Sequence, residues 1–339
     1  MKQVVMTAPG EIELREVDAP TPGPSEVLLR IERIGVCGSD VHVYHGRHPY
    51  TGYPVVQGHE YAATVEAVGD EVSGIAPGSK ATAMPQLCCG QCGPCRRGDY
   101  HICDQLRVQG FQAPGCAQQW FVVPAHNVVK LPDHFTFEQG ALVEPVAVAH
   151  HAVNKAAVGE GSRVVVAGAG PIGNLTAQVA QAQGARVLIV DLSDHRLEIA
   201  QACGLEHTAN PKNADLPAAI AGAFGSDGFD VGFECVGVEP TLSALVENAS
   251  KGGTIVVVGV FAEKPRVDVG LVQDRELRLL GSLMYKREDY EQAIDLIERS
   301  QISTKPLETT HFTLDQFADA YRYIEEHGER SMKVFIDVN

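Results

Sequence analysis

Up to about residue 150 the apolar positions come in short β-branched runs, among them Glu26 to Ile31 and Tyr61 to Val68, broken by proline and glycine at Ala19 to Pro24 and at Pro77-Gly78. This texture predicts an irregular, strand-rich domain. From about Gly161 the pattern changes. The apolar run Arg163 to Val166 leads into a glycine turn at Gly168 to Gly173, a helical stretch from Asn174 to Gln183, and a second apolar run from Arg186 to Val190. That order predicts a βαβ unit. Strands expected at Phe229 to Cys235 and Thr254 to Val260, with a helix at Thr241 to Ser250 between them, extend the unit into a parallel sheet. After about Tyr285, a helix over Asp289 to Ser300 and a closing strand over Met332 to Val338 point back to the first domain. No internal repeat or low-complexity segment interrupts this plan.

The length of 339 residues suits two domains with ample core. Lysine and arginine number 27 against 43 aspartates and glutamates, a formal charge of −16, and the resulting field repels phosphate backbones and anionic lipid. Nucleic acid and membrane are therefore not expected partners. No run approaches the ~18 apolar residues of a membrane helix. Near the start, Glu11, Glu13 and Glu16 stand where a secretory signal is still apolar. Nine cysteines, an odd count with four between Cys89 and Cys103, fit a reducing compartment and metal binding better than a disulfide framework. A soluble cytoplasmic protein is the expectation.

The stretch CGQCGPCRRGDYHIC places Cys89, Cys92, Cys95 and Cys103 on one compact lobe. Four thiolates so spaced suit a tetrahedral structural zinc with no open position for chemistry. Cys88 is adjacent and competes with Cys89 in principle, but the C-x₂-C repeat is regular only from Cys89 onward. The turn Gly168-Ala169-Gly170-Pro171-Ile172-Gly173 between a strand and a helix allows the backbone to approach a pyrophosphate at a helix N-terminus. Asp191, at the end of the next strand, is placed to accept hydrogen bonds from both hydroxyls of an adenosine ribose. A 2′-phosphate meets like charge there, which favours NAD over NADP. Arg196 stands ready to stack on adenine or to neutralise a phosphate. A third set is dispersed: Cys37 in GVCGSD, His59 and Glu60 in QGHEY, and Glu144 in LVEPVAVAHH. Singly, each reads equally as an ordinary buried residue, and spacing alone does not join them.

In their order along the chain, GVCGSDVH, GHE, the four-cysteine lobe, LVEP and VAGAGPIG resemble the zinc-dependent medium-chain dehydrogenases, the zinc-containing alcohol dehydrogenase superfamily. The resemblance runs from end to end and is greatest to the sorbitol dehydrogenase-like, polyol branch. It implies an α/β fold: a GroES-like β-barrel catalytic domain over 1–150 and 287–339, with a structural-zinc lobe at 86–104, and a Rossmann domain with a doubly wound parallel sheet over 151–286. The active site is then expected in the cleft between them.

Carried over by motif, Cys37 and His59 match catalytic zinc ligands, and Glu60 a neighbouring carboxylate that binds the metal directly or through water. Glu144, followed by Pro145, stands where many alcohol dehydrogenases have a third, cysteine ligand and polyol dehydrogenases have Glu-Pro. Ser39 and His42 match a proton relay. Glu234 to Gly237, with Val236, and Val258 to Val260, with both valines, match segments flanking the nicotinamide. The implied reaction converts a secondary alcohol (a polyol, sugar alcohol or sugar acid) to a ketone with hydride passing to NAD, in a homodimer or homotetramer holding one catalytic and one structural zinc per subunit. Two departures bear on the substrate: Met284 stands where sorbitol dehydrogenases carry arginine, and Gly115 to Trp120 read GCAQQW rather than GGFAEY. A threonine- or butanediol-type dehydrogenase and a non-catalytic NAD-binding structural protein are the alternatives on the same scaffold.

Overall fold

The computed structural model describes all 339 residues and divides into two compact units. The first comprises Met1–Glu144, Lys286–Ile294 and Glu308–Asn339; the second comprises Pro145–Tyr285 and Asp295–Leu307.

In the first unit, β1 (Lys2–Ala8) and β2 (Glu11–Glu16) form an antiparallel hairpin. They are followed by β3 (Glu26–Gly35), α1 (Gly38–Tyr44), β4 (Glu60–Val68), β5 (Lys80–Ala83), β6 (Gln86–Leu87), α2 (Gly93–Arg96), β7 (Arg107–Val108), β8 (Trp120–Pro124) and β9 (Val128–Lys130); α3 (Phe137–Lys155) then crosses the boundary at Glu144. In the second unit come β10 (Arg163–Ala167), α4 (Pro171–Ala182), β11 (Arg186–Val190), α5 (Asp194–Ala202), β12 (His207–Ala209), α6 (Leu216–Phe224), β13 (Val231–Glu234), α7 (Glu239–Asn248), β14 (Thr254–Val257), α8 (Val269–Asp274) and β15 (Arg278–Gly281). The chain ends with α9 (Arg287–Glu298), β16 (Glu308–Thr313), α10 (Phe317–Glu326) and β17 (Lys333–Asp337).

The main sheet of the first unit runs β16-β17-β3-β4-β5-β9, with β8 also paired to β3. In β3, Val27, Leu29 and Ile31 alternate inward with no exposure, the period-2 pattern of a half-buried strand. A register shift against β4 between Ile31 and Arg33 re-aims the strand, so that Glu32 and Ile34 are buried next. The strand thereby delivers Gly35 opposite Glu60 at the start of β4. The core gathers these residues with Tyr61, Val65, Phe121, Tyr321 and Val334.

The sheet of the second unit is parallel throughout in the order β12-β11-β10-β13-β14-β15. The order reverses between β10 and β13, and in such sheets the crevice beyond the strand ends at that switch point is where dinucleotides bind. Val164, Val165 and Val166 are fully buried, which explains the unbroken apolar run in the sequence.

The division differs from the sequence boundaries at 145–150, which fall in the second unit, at Lys286, which falls in the first, and above all at 295–307, which groups with the Rossmann unit although the flanking residues belong to the first. The reason for the last is local hydrogen bonding. Gln178 on α4 donates to the Ser303 carbonyl (3.3 Å) and accepts from the Ser303 N–H (2.6 Å), and Cys203 Sγ lies 3.7 Å from the same carbonyl. No helix is long and apolar enough to cross a membrane.

Candidate active site

The four-cysteine lobe is assembled between β6 and β7. Cys103 Sγ lies 3.5 Å from Cys89 Sγ and 3.8 Å from Cys92 Sγ. A tetrahedral ion with Zn–S bonds near 2.3 Å separates its sulfurs by about 3.8 Å, so the cluster fits zinc. The backbone N–H groups of Cys89, Cys92 and Gln105 point to these sulfurs at 3.3–3.4 Å, the arrangement that stabilises thiolates. N–H groups of Cys95 and Asp104 draw Cys92 down to about 6, while desolvation and its neighbouring thiols push Cys95 up to about 12. Sulfurs this close cannot all ionise without a cation among them. Cys88 stands outside the cluster, donating to the Tyr100 carbonyl at 3.2 Å.

A second set forms at the start of β4. Cys37, which precedes α1, lies with His59 and Glu60 so that one donor atom from each is within 4.8 Å of the others. Gly58 makes this possible: its φ is +92°, and a Cβ there would meet Cys116 Sγ at 2.8 Å. The GCAQQW segment buttresses the same backbone, with Cys116 N–H donating to Gly58 O (3.0 Å) and Ala117 N–H to Gln57 O (2.9 Å). Its departure from the family pattern therefore falls on residues that pack behind the donors. Phe111 lies against His59 with ring centroids 4.9 Å apart.

The electrostatics of this set call for a cation. Burial, then Glu60, pushes the Cys37 thiol up, although His59 acts in the opposite sense. Burial opposes a charged His59, yet Asp40 and Cys37 hold it well above the ordinary imidazole value. Glu60 is fully buried; its Oε2 accepts from Lys333 Nζ at 2.5 Å, and its Oε1 has no hydrogen-bond partner. A half-buried thiol, a buried imidazole and a buried carboxylate with an orphaned oxygen are a donor set for zinc.

The carboxylate in this set is Glu60; the sequence expectation placed both Glu60 and Glu144 beside Cys37 and His59, and Glu144 is not among the three donors gathered within 4.8 Å. Lys333 and the start of β4 hold Glu60 at the donors, while Glu144 is set by α3, where it is 5% exposed. Glu144 still acts on this neighbourhood. Burial disfavours a charged Lys333, but Glu60, Cys37 and Glu144 together hold its pKa above the ordinary value. Ser39 and His42 both lie on α1, three residues apart and half-buried, so they share a face.

In the second unit the glycine turn links β10 to α4. Gly170 caps the helix in extended conformation and Pro171 is its first residue. Gly173 admits no side chain, since a Cβ would come within 1.8 Å of Gly168 O. Asp191 is held against the turn: Oδ2 accepts from Ala169 N–H at 2.7 Å and Oδ1 from Ser193 N–H at 2.8 Å. Each oxygen retains a lone pair for a ribose hydroxyl. Arg196 Nη1 is 3.9 Å from Asp191 Oδ2. Val236 and Val260, beyond the ends of β13 and β14, are 45% and 57% exposed, and Val258 is half-buried. Glu234, by contrast, is spent on structure, accepting from the N–H groups of Val236 and Gly237 and from the Thr241 hydroxyl. Met284 adopts φ +52°, the left-handed region.

Sequence reasoning did not single out Asp40, Gln57, Tyr321 or Lys333. Asp40 carried a signal, three residues after Cys37 at the start of a helix, where its Oδ2 now accepts from the Cys37 N–H at 3.1 Å. Lys333 carried none that was local.

The chain matches the alcohol dehydrogenase GroES-like domain over residues 23–133 and the zinc-binding dehydrogenase family over residues 171–299. It is 35% identical to a 2-dehydro-3-deoxy-L-galactonate 5-dehydrogenase of Pseudoalteromonas atlantica over 96% of this chain and 95% of the relative. It is 34% identical to a D-xylulose reductase of Saccharomyces cerevisiae over 98% of this chain and 97% of that one. A protein from Sinorhizobium meliloti 1021 whose crystal structure holds NADP superposes with a TM-score of 0.91 at 32% identity, covering 99% of this chain and 98% of its own. Fold, motif order and end-to-end similarity agree, and the chain belongs to the zinc-dependent medium-chain dehydrogenases, on their polyol dehydrogenase branch.

Proposed function

We propose that the protein oxidises a secondary hydroxyl of a polyol, sugar alcohol or sugar acid to a ketone, with NAD⁺ accepting the hydride. The observation that carries this reading is the set of half-buried Cys37 with buried His59 and Glu60, an orphaned oxygen on Glu60, in a chain of the polyol branch. Zinc at these donors supplies the Lewis acidity that makes an alcohol hydroxyl acidic near neutral pH, and NAD⁺ supplies the hydride acceptor.

The chain's own residues supply the rest. Cys37 and Glu60 bring two negative charges and His59 a neutral nitrogen, which leaves a bound dication electrophilic. Ser39 takes up the substrate's hydroxyl proton and His42 passes it toward water. Burial, His45 and Arg47 hold His42 below the ordinary imidazole value, so it is neutral and able to accept. Glu144 is assigned to the same centre, as a carboxylate that exchanges with Glu60 or accepts from substrate hydroxyls.

In the Rossmann unit, the backbone of Gly168, Gly170, Pro171, Ile172 and Gly173 cradles the pyrophosphate. Asp191 takes the adenosine ribose, Arg196 the adenine, and Val236, Val258 and Val260 the nicotinamide. Asp191 opposes a 2′-phosphate, which favours NAD⁺; the NADP in the Sinorhizobium protein makes NADP⁺ the necessary control. Met284, in place of a guanidinium, favours a substrate other than sorbitol.

Free cysteines throughout support a cytoplasmic setting. The edge strand β15, with Leu279 on it 41% exposed and Leu283 just beyond its end 55% exposed, supports a homodimer built by pairing two such edges, or a tetramer of these dimers.

The test is NADH formation across polyols, aldonic acids, vicinal diols and threonine, with NADP⁺ alongside. Turnover confined to polyols or sugar acids supports the reading. Turnover of threonine or butanediol alone moves the chain to that type, and tight NAD binding with no turnover on any substrate contradicts an enzymatic role.

A further inference from the structure

A buried chain of polar side chains leads from His59 to helix α10. Asp40 is 2% exposed; its Oδ1 stands 3.5 Å from His59 Nδ1, a buried nitrogen that makes no hydrogen bond, so the two meet as an ion pair. Gln57, 1% exposed, turns its amide nitrogen to Asp40, at 3.2 Å from the Asp40 carbonyl and 3.4 Å from Oδ1. Its amide oxygen accepts from the hydroxyl of Tyr321, also 1% exposed, at 2.9 Å.

The direction of this chain is determined by chemistry. A carboxylate and a carbonyl only accept, so the face of Gln57 toward Asp40 must be its NH₂. The opposite face is then the amide oxygen, which needs a donor, and the Tyr321 hydroxyl is that donor. With the amide reversed, Gln57 Oε1 would face two acceptor oxygens of Asp40. Burying an amide and a phenol hydroxyl also costs more than burying an apolar pair of similar shape, so packing alone gives no reason for the pair.

We propose that Gln57 and Tyr321 are positioning residues for His59: Tyr321 fixes the orientation of Gln57, Gln57 holds the Asp40 carboxylate, and Asp40 keeps the proton of His59 on Nδ1. The Nε2 lone pair is thereby left for the metal. This inference rests on the reading of Cys37, His59 and Glu60 as metal donors.

The experiment uses the zinc-loaded protein and follows zinc release to a chelator, with the four-cysteine lobe as internal control. The visible spectrum of cobalt(II) placed in the Cys37/His59/Glu60 centre is recorded beside it. Outer partners of metal ligands typically alter affinity 10–100-fold, so Gln57→Leu is expected to release the zinc of that centre about tenfold faster and Tyr321→Phe about threefold faster. Release from the lobe stays unchanged, and the cobalt bands shift in both variants. Tyr321→Phe keeps the ring and its volume, so it carries the test if Gln57→Leu does not fold. A wild-type chain holding two zinc populations, with release and cobalt bands unaltered in the folded variants, overturns this inference alone. A wild-type chain holding only the lobe's zinc overturns the donor reading, and this inference with it.

Discussion

Lys333 on the closing strand β17 holds Glu60 at the start of β4, Nζ to Oε2 at 2.5 Å, with the two side chains 2% and 0% exposed. Removing one member of a buried ion pair leaves a charge without a partner, at a cost of about 3–5 kcal/mol. Lys333→Met is expected to lower stability by that amount in urea unfolding, and adding Glu60→Gln to restore most of it. A single variant as stable as wild type would mean that the pair contributes nothing to the first unit.

Cys103 is the buried member of the cysteine lobe and touches two of the other sulfurs. Cys103→Ser should remove one zinc per chain and lower the thermal midpoint by about 5 °C or more, since structural zinc contributes folding energy directly. The second zinc should remain. Loss of both metals together would show that the two sites are not independent.

On the proposed reading, Asp191 sets the choice between NAD⁺ and NADP⁺. Its carboxylate is held by the Ala169 and Ser193 N–H groups and faces no competing anion among these partners. Asp191→Ala loses charge-assisted hydrogen bonds worth about 1.5–3 kcal/mol each to the ribose, which should raise the KM for NAD⁺ at least ~10-fold. The KM for NADP⁺ should fall or stay unchanged. An equal rise for both cofactors would show that the variant damages the turn rather than the ribose site.

The Rossmann unit also has a pH-dependent tie. Arg163 holds the Asp230 carboxyl below its usual range, with Nε at 3.0 Å and the Arg163 N–H at 3.1 Å from Oδ2. A depressed carboxyl contributes stability above its unfolded value near 3.9 and loses it as pH falls through the folded value. The pair is partly exposed, at 21% and 42%, so its worth is discounted to about 0.5–1 kcal/mol. Asp230→Asn should lower the urea midpoint by a corresponding amount at pH 7, and the gap should close toward pH 3. A gap that widens on acidification would reverse the assignment.

Much of this was legible in the sequence where function depends on neighbours along the chain. The strand, glycine turn, helix and strand over 163–190 appear as β10, α4 and β11, with α4 starting at Pro171 rather than Asn174 because the turn's proline is already its first residue. The cysteine lobe was equally legible, its spacing being the ligand geometry itself. What was not legible depends on distant partners. Lys333 lies in an apolar strand 273 residues from Glu60, and Tyr321 is 264 residues from Gln57, so no local pattern relates them. That Glu60 is the carboxylate gathered with Cys37 and His59 is of the same kind, since Lys333 holds it there. The segment 295–307 joined the second unit through hydrogen bonds from Gln178 that periodicity does not encode.

The most direct measurement is NADH formation from NAD⁺ and a polyol or sugar acid before chelation, after it, and after zinc is returned, in wild type and in Cys37→Ser. Turnover that is lost on chelation, restored by zinc, and absent from Cys37→Ser under every condition is the predicted result. Turnover that survives chelation, or that Cys37→Ser retains, would contradict a metal-dependent oxidation at Cys37, His59 and Glu60.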